Sequence, residues 1–153
     1  MTTINPTHVT VAPDYLLRRV LQGNMVFSGL TGLVLTVDAG LLSRWLGIPA
    51  AWILVVIGVT LLGFAWGLFQ IAKQNPIDLR QANAILFMDV AWVVGSALLL
   101  FTGWVSFTTA GWWTVLLVAD IVALFAILET IGIRRAAHGN PRNRAGTMPR
   151  ATN

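Results

Sequence analysis

The stretch FMDVAWVVGSALLLF, residues 87–101, holds one carboxylate in an otherwise uncharged, mostly apolar run. No Lys or Arg lies within a helical turn of Asp89 on either side. A helix of about 20 predominantly apolar residues crosses the ~30 Å hydrocarbon layer of a membrane, and this run is the middle of such a segment. A carboxylate facing lipid there costs on the order of 2.5–3.5 kcal/mol on insertion scales, so Asp89 is expected to face protein. It shares its helical face with Ile85, Trp92 and Ser96.

The rest of the chain has the same character. Of 153 residues, 56% are hydrophobic and only 10% charged, and the mean hydropathy is +0.74. A soluble domain carries about a quarter charged residues, so this chain has too few to cover a soluble surface. Four apolar helices are expected, over residues 15–38, 49–73, 79–103 and 111–135. Asp14 is placed to cap the first, Pro49 suits the first position of the second, and Asp78 with Gln81 has capping-box spacing ahead of the third. Residues 1–13 read as a polar arm, and residues 136–153, rich in Gly, Pro, Asn and Arg, as a disordered tail. The fold class is thus all-α, a four-helix transmembrane bundle.

The charges order that bundle. Arg18, Arg19, Lys73 and Arg80, with the five arginines from Arg134 onward, fall on one side, and only Arg44 falls on the other. Positive residues favour the cytoplasmic side, so both termini are expected inside, and the +4 net charge is topological rather than a nucleic-acid surface. Trp45, Trp52, Trp104, Trp112 and Trp113 all fall at the expected outer boundary, where an indole keeps its ring apolar and its N–H wet. The alternative of a cleaved signal peptide ending near Ala39 fits less well, because the apolar stretch is too long.

A weak repeat relates Gln22-Gly23-Asn24 to Gln81-Ala82-Asn83, and Phe64-Ala65 to Phe125-Ala126. Two parallel helical hairpins would be related by an axis along the membrane normal.

The polar residues inside the spans are the candidate site. Asn24, Ser28, Thr31 and Asp38 form a stripe on the first helix, with Gly29 and Gly32 beside it as packing positions. Gly63 and Gly67 on the second helix make a GxxxG, and Gly95 lies on the third. Asp89 and Asp120 are the two acids expected to be buried, with Asn24, Ser28, Thr31, Ser96 and the Trp66 indole as polar neighbours. Glu129, nine residues from Asp120 and hence on the opposite side of its helix, is expected to be solvated beside Arg134 and Arg135. An acidic ladder through Asp38, Asp120, Asp89 and Glu129 is one way to draw a proton path. Interhelical hydrogen bonding is the simpler use of the same residues.

Other chemistries find no residues. There is no cysteine, both histidines (His8 and His138) lie in the polar ends, and no lysine lies inside a span. Metal clusters, bis-histidine haem, a retinal-type Schiff base and phosphate loops are not expected, and no cofactor is.

With NMVFSGLTG (residues 24–32) and DVAWVVGSALLL (residues 89–100) in view, the helical region resembles a family of small uncharacterised bacterial four-helix membrane proteins. That family carries no assigned activity; the resemblance implies a multi-pass protein of the bacterial cytoplasmic (inner) membrane. Three functions are open. The first is a non-enzymatic protein, self-associating or an accessory subunit of a larger membrane complex. The second is a homodimeric proton- or ion-coupled transporter using Asp89 and Asp120. The third is a lipid- or quinone-binding protein.

Overall fold

The computed structural model describes residues 14–139, so the expected N-terminal arm and the basic tail beyond Gly139 lie outside the described residues. The helices are α1 (Tyr15–Val37), α2 (Ala39–Leu46), α3 (Ala51–Ala72), α4 (Leu79–Thr102) and α5 (Thr109–Gly139). Four of them, α1, α3, α4 and α5, are long and apolar enough to cross a membrane. Their outward faces carry Val26, Leu30, Val56, Val59, Val94 and Leu124, all exposed, so the bundle is apolar outside as well as inside. That surface suits a lipid solvent.

The expected segments are present, with three differences. The link after the first span is largely helical: Ala39–Leu46 forms α2, ended by Gly47 at φ +80. A side chain other than glycine is strained at that angle. Helix α3 begins at Ala51, two residues after the proline expected to open it. Helix α5 runs to Gly139, four residues past its expected end, and this extension matters for the site below.

The capping residues behave differently from their spacing. Asp14 makes no cap; its carboxylate pairs with Arg18 at 3.1 Å. Asp78 does cap α4, its Oδ1 accepting from Arg80 N–H at 2.9 Å. The reciprocal bond comes from Gln74, whose Oε1 accepts from Asp78 N–H at 3.2 Å while its Nε2 donates to Gln81 at 2.8 Å.

Helix α1 packs closely on α3, and α4 on α5; α1 and α5 join the two pairs, whereas α3 and α4 meet only slightly. At the end where α1 starts, Arg18 donates to the carbonyls of Ala72 and Gln74 (2.8 Å for the latter), satisfying the end of α3. Gly132 of α5 lies against the backbone of Leu17 at the same end. The core there is Leu17, Leu21, Leu68, Ile71, Ala82 and Ile85. At the opposite end Thr108 N–H donates to Leu46 O at 3.1 Å, tying the α4–α5 link to α2. Trp45, Trp52, Trp104 and Trp113 are exposed at that end, with Trp112 partly covered.

The close crossing of α1 and α3 is made by Gly32 and Gly58. A Cβ on either would sit 2.7 Å from the other's carbonyl oxygen. The expected packing glycines Gly63, Gly67 and Gly95 have open space where a Cβ would be, and Gly29 makes only an ordinary 3.7 Å contact with Ala65. The GxxxG therefore faces away from its own bundle. Gly32→Val and Gly58→Val are expected to lose about 1–3 kcal/mol by overpacking, whereas Gly63→Val and Gly67→Val melt close to wild type. Thermal unfolding in one detergent compares all four, and equal losses at both pairs would contradict this assignment of the crossing.

Candidate functional site

Three buried polar side chains from three helices meet in the interior. Asn24 Nδ2 on α1 donates to Asp89 Oδ2 on α4 at 2.6 Å and to Glu129 Oε1 on α5 at 3.1 Å. Ser28, one turn along α1, donates its hydroxyl to Asn24 Oδ1 at 3.0 Å. Both amide N–H groups are thus spent on carboxyls, and the hydroxyl fixes which way the amide points. Asn24 and Glu129 are 0% exposed and Asp89 is 3% exposed.

The three residues meet because they lie at one depth. Asn24 is nine residues from the start of α1, Asp89 ten from the start of α4, and Glu129 ten from the end of α5. At ~1.5 Å per residue all three stand about 14–15 Å inside the same end of the bundle. Each also lies on its helix's buried face. Asp89 follows Ala82 and Ile85 and precedes Ser96, while Glu129 continues Ala119, Val122 and Ala126.

The electrostatics are unbalanced. The two carboxyl oxygens accept from one nitrogen, so they lie closer together than the two bond lengths combined. Two ionised carboxylates about 5 Å apart repel by about 3 kcal/mol at an effective dielectric of ~20. Among the described residues no cationic side chain joins them: Arg18 is engaged at the end of α3, and Arg134 and Arg135 are exposed. Glu129 Oε2 is buried with no hydrogen-bond partner. The site has one amide donor group for two acids, which leaves Glu129 Oε2 enclosed without a partner and Asp89 Oδ1 without a hydrogen bond from the described residues.

A cavity of about 190 Å³ adjoins the site, lined by Ser28, Thr31, Thr60, Asp89 and Trp92 among apolar neighbours. A larger chamber of about 810 Å³ continues toward the opposite end, and Phe27, Thr31, Trp92 and Val118 line both. Its walls include Leu54 and Ile57 of α3 and Ala91, Gly95, Ser96 and Leu99 of α4, the two helices that barely touch.

The expected residues divide as follows. Asn24, Ser28 and Asp89 meet as the spacing implied. Thr31 and Ser96 line the cavities instead of joining the hydrogen-bond network. Asp38 is exposed at the junction of α1 and α2, and Trp66 is 63% exposed, so neither reaches Asp89. Asp120 is exposed on the far side of α5, and the acidic ladder does not form. Glu129, expected to be solvated, is instead the second carboxyl of the site. Two features of the sequence carry that signal: Glu129 extends the small-residue stripe Ala119-Val122-Ala126, and Gly132 continues it at the same spacing. The repeat does not extend to this environment either, since Asn83, the counterpart of Asn24, is exposed and donates to its own helix at Leu79 O.

No family model, curated protein or solved structure matches the chain. The functional reading therefore rests on the geometry of the site.

Removing the shared donor strands two buried acids. Asn24→Leu is expected to cost about 1–3 kcal/mol of stability, the range for leaving buried polar groups unpaired. The triple change Asn24→Leu, Asp89→Leu, Glu129→Met should recover most of it, because both acids are then gone and only the Ser28 hydroxyl has lost its acceptor. Chemical or thermal unfolding in detergent checks this; a single variant as stable as wild type would mean that the amide is not what holds the acids.

Proposed function

We propose that the chain is a non-enzymatic multi-pass membrane protein that takes up and releases a proton at the Asn24–Asp89–Glu129 site, as a small self-associating carrier. The observation that carries this reading is the sharing of one amide by two buried carboxyls, with no cationic side chain beside them among the described residues. Ionisable groups inside a span pair, bind an ion or relay protons. A proton suits this site better than a metal cation. A hard cation needs a shell of several oxygens, and here the amide nitrogen already occupies the space between the carboxyls. The adjoining cavity gives Asp89 a path out of the interior.

The orientation in this reading is that of a bacterial cytoplasmic membrane, with both termini inside. Arg18, Arg19, Lys73, Arg80, Arg134 and Arg135 lie at the end where α1 starts and α5 ends, and Arg44 at the other. Basic residues favour the cytoplasmic side.

In proteoliposomes loaded with a pH-sensitive dye, the wild type is expected to collapse an imposed pH gradient. Asp89→Asn and Glu129→Gln should not, while keeping melting temperatures near that of the wild type. Leak equal in all three proteins, or equal to protein-free vesicles, removes the proton reading.

Self-association has its own support. Asp120 is exposed on α5, eleven residues from the start of the helix, which places it ~16 Å into a span. A carboxylate facing lipid there costs about 2.5–3.5 kcal/mol, and a second copy covering this face relieves that cost. The chain has no cysteine, so single cysteines report proximity cleanly. Leu117→Cys and Leu124→Cys, exposed one turn either side of Asp120, should cross-link in membranes under oxidation, and Val26→Cys on α1 should not. Monomer at every position would leave Asp120 without this explanation.

A further inference from the structure

We propose that the crevice between α3 and α4 binds a single-chain lipophilic amine in its protonated form, with the ammonium head beside Asp89 and the alkyl body in the larger chamber. The inference rests on the proton site above, since the ammonium and the proton would neutralise the same carboxyl pair in turn.

Three features select this class. The first is the division of the space. The compartment of about 190 Å³ at Asp89 is small and mostly apolar, with the hydroxyls of Ser28, Thr31 and Thr60 and, unlike the chamber beyond, a carboxyl in its lining, which suits a compact charged head. The chamber of about 810 Å³ is walled almost wholly by apolar side chains and lies within the ~300–1,000 Å³ range of small-molecule sites. From Asp89 to Leu99 is ten residues of helix, about 15 Å, enough for an alkyl chain of about a dozen carbons.

The second is charge. Asp89 lines the small compartment, and its Oδ1 accepts no hydrogen bond from the described residues, so one carboxyl oxygen is offered to an occupant. Glu129 stands behind it with Oε2 unpartnered at 0% exposure. Among the described residues, no Lys, Arg or His lines either compartment. A cation is thus complementary where an anionic lipid head would be repelled, and a neutral chain would leave the carboxyls as they are. Thr60 donates to Val56 O and Thr31 lies beside the compartment, so their oxygens remain able to accept from an ammonium N–H.

The third is access. Helices α3 and α4 pack on α1 and α5 but only slightly on each other, and both line the chamber along its length. An amphiphile dissolved in the bilayer reaches such a site sideways, without crossing water.

Tritiated dodecylammonium, below its micellar concentration, is titrated into wild-type protein in phosphatidylcholine nanodiscs, with protein-free discs subtracted. Saturable binding is expected, displaced by unlabelled dodecylammonium and not by dodecanol at the same membrane concentration. Asp89→Asn should weaken binding by at least tenfold. Gly95→Phe gives the second test. Gly95 lines the chamber with nothing within 4 Å of a Cβ, so the ring has room to enter without displacing backbone. This variant should melt like wild type and lose binding by a similar factor. Non-saturable uptake overturns the proposal, as does undiminished binding in a folded Gly95→Phe. Equal displacement by dodecanol overturns it in favour of an uncharged apolar ligand such as a lipid or quinone. Wild type that moves protons but shows no saturable amine binding overturns this inference alone, and wild type that binds the amine without moving protons supports the crevice while removing the carrier.

Discussion

The bundle is organised around a shortage. Two carboxyls and one primary amide are enclosed by apolar helices, and the amide has two N–H groups to give. Asn24 gives one to each acid, and Ser28 takes up the carbonyl oxygen. This single arrangement fixes α1, α4 and α5 at one depth. Sliding any of the three by one residue would withdraw a partner by ~1.5 Å and leave a buried acid with no donor. Apolar side chains alone specify depth weakly in lipid, because the tails around them are as apolar as the core. The polar contact supplies the register that the apolar contacts lack.

Helix α3 stands outside this network and is held differently. Its contact with α1 is backbone against backbone at Gly32 and Gly58, and its end is met by Arg18. Nothing comparable joins α3 to α4. The crevice follows from this division: one side of the bundle is closed by the amide and its acids, another by the glycine crossing, and the side between α3 and α4 is left to helices that meet only slightly. A bundle with four equal interfaces would have had no room beside Asp89.

The four spans were readable because length and hydropathy are properties of a segment by itself. So was the inward face of Asp89, which follows from the cost of exposing it, and its partnership with Asn24 and Ser28, which follows from depth. Glu129 was misread for one physical reason. With α5 ending at Arg135 it would stand ~9 Å from the helix end, within reach of solvent; with α5 continuing to Gly139 it stands ~15 Å in. The four extra residues, Ala136 to Gly139, include good helix formers and no breaker before Gly139, so composition permitted the longer helix, but the positive cluster at 134–135 resembled an interface. The GxxxG fitted packing inside the bundle and a contact with a second copy alike, because spacing does not say which way a glycine faces. Gly32 and Gly58 have no such motif, and only the crossing point of the two helices distinguishes them. The short helix α2 is eight residues long, below the length at which sequence alone sustains a helix, and its C-terminal end is fixed by Thr108 of the α4–α5 link.

The same shortage gives the site a chemical direction. A network with one cationic side chain per acid would be inert: each negative charge would be balanced by the protein itself. Here balance needs something further, and the cavity that Asp89 lines offers a way for it to arrive. The space there has the carboxyl of Asp89 at one end and is otherwise walled almost wholly by apolar side chains. A species that carries positive charge at one end and hydrocarbon at the other satisfies both halves at once, while a bare proton satisfies only the first. The two need not be alternatives. Because they neutralise the same pair of oxygens, each would lower the affinity for the other by whatever repulsion the second charge adds, and that reciprocity is what a coupled exchange requires. The structural origin of such coupling is then the stoichiometry of one amide to two acids, set by a single asparagine.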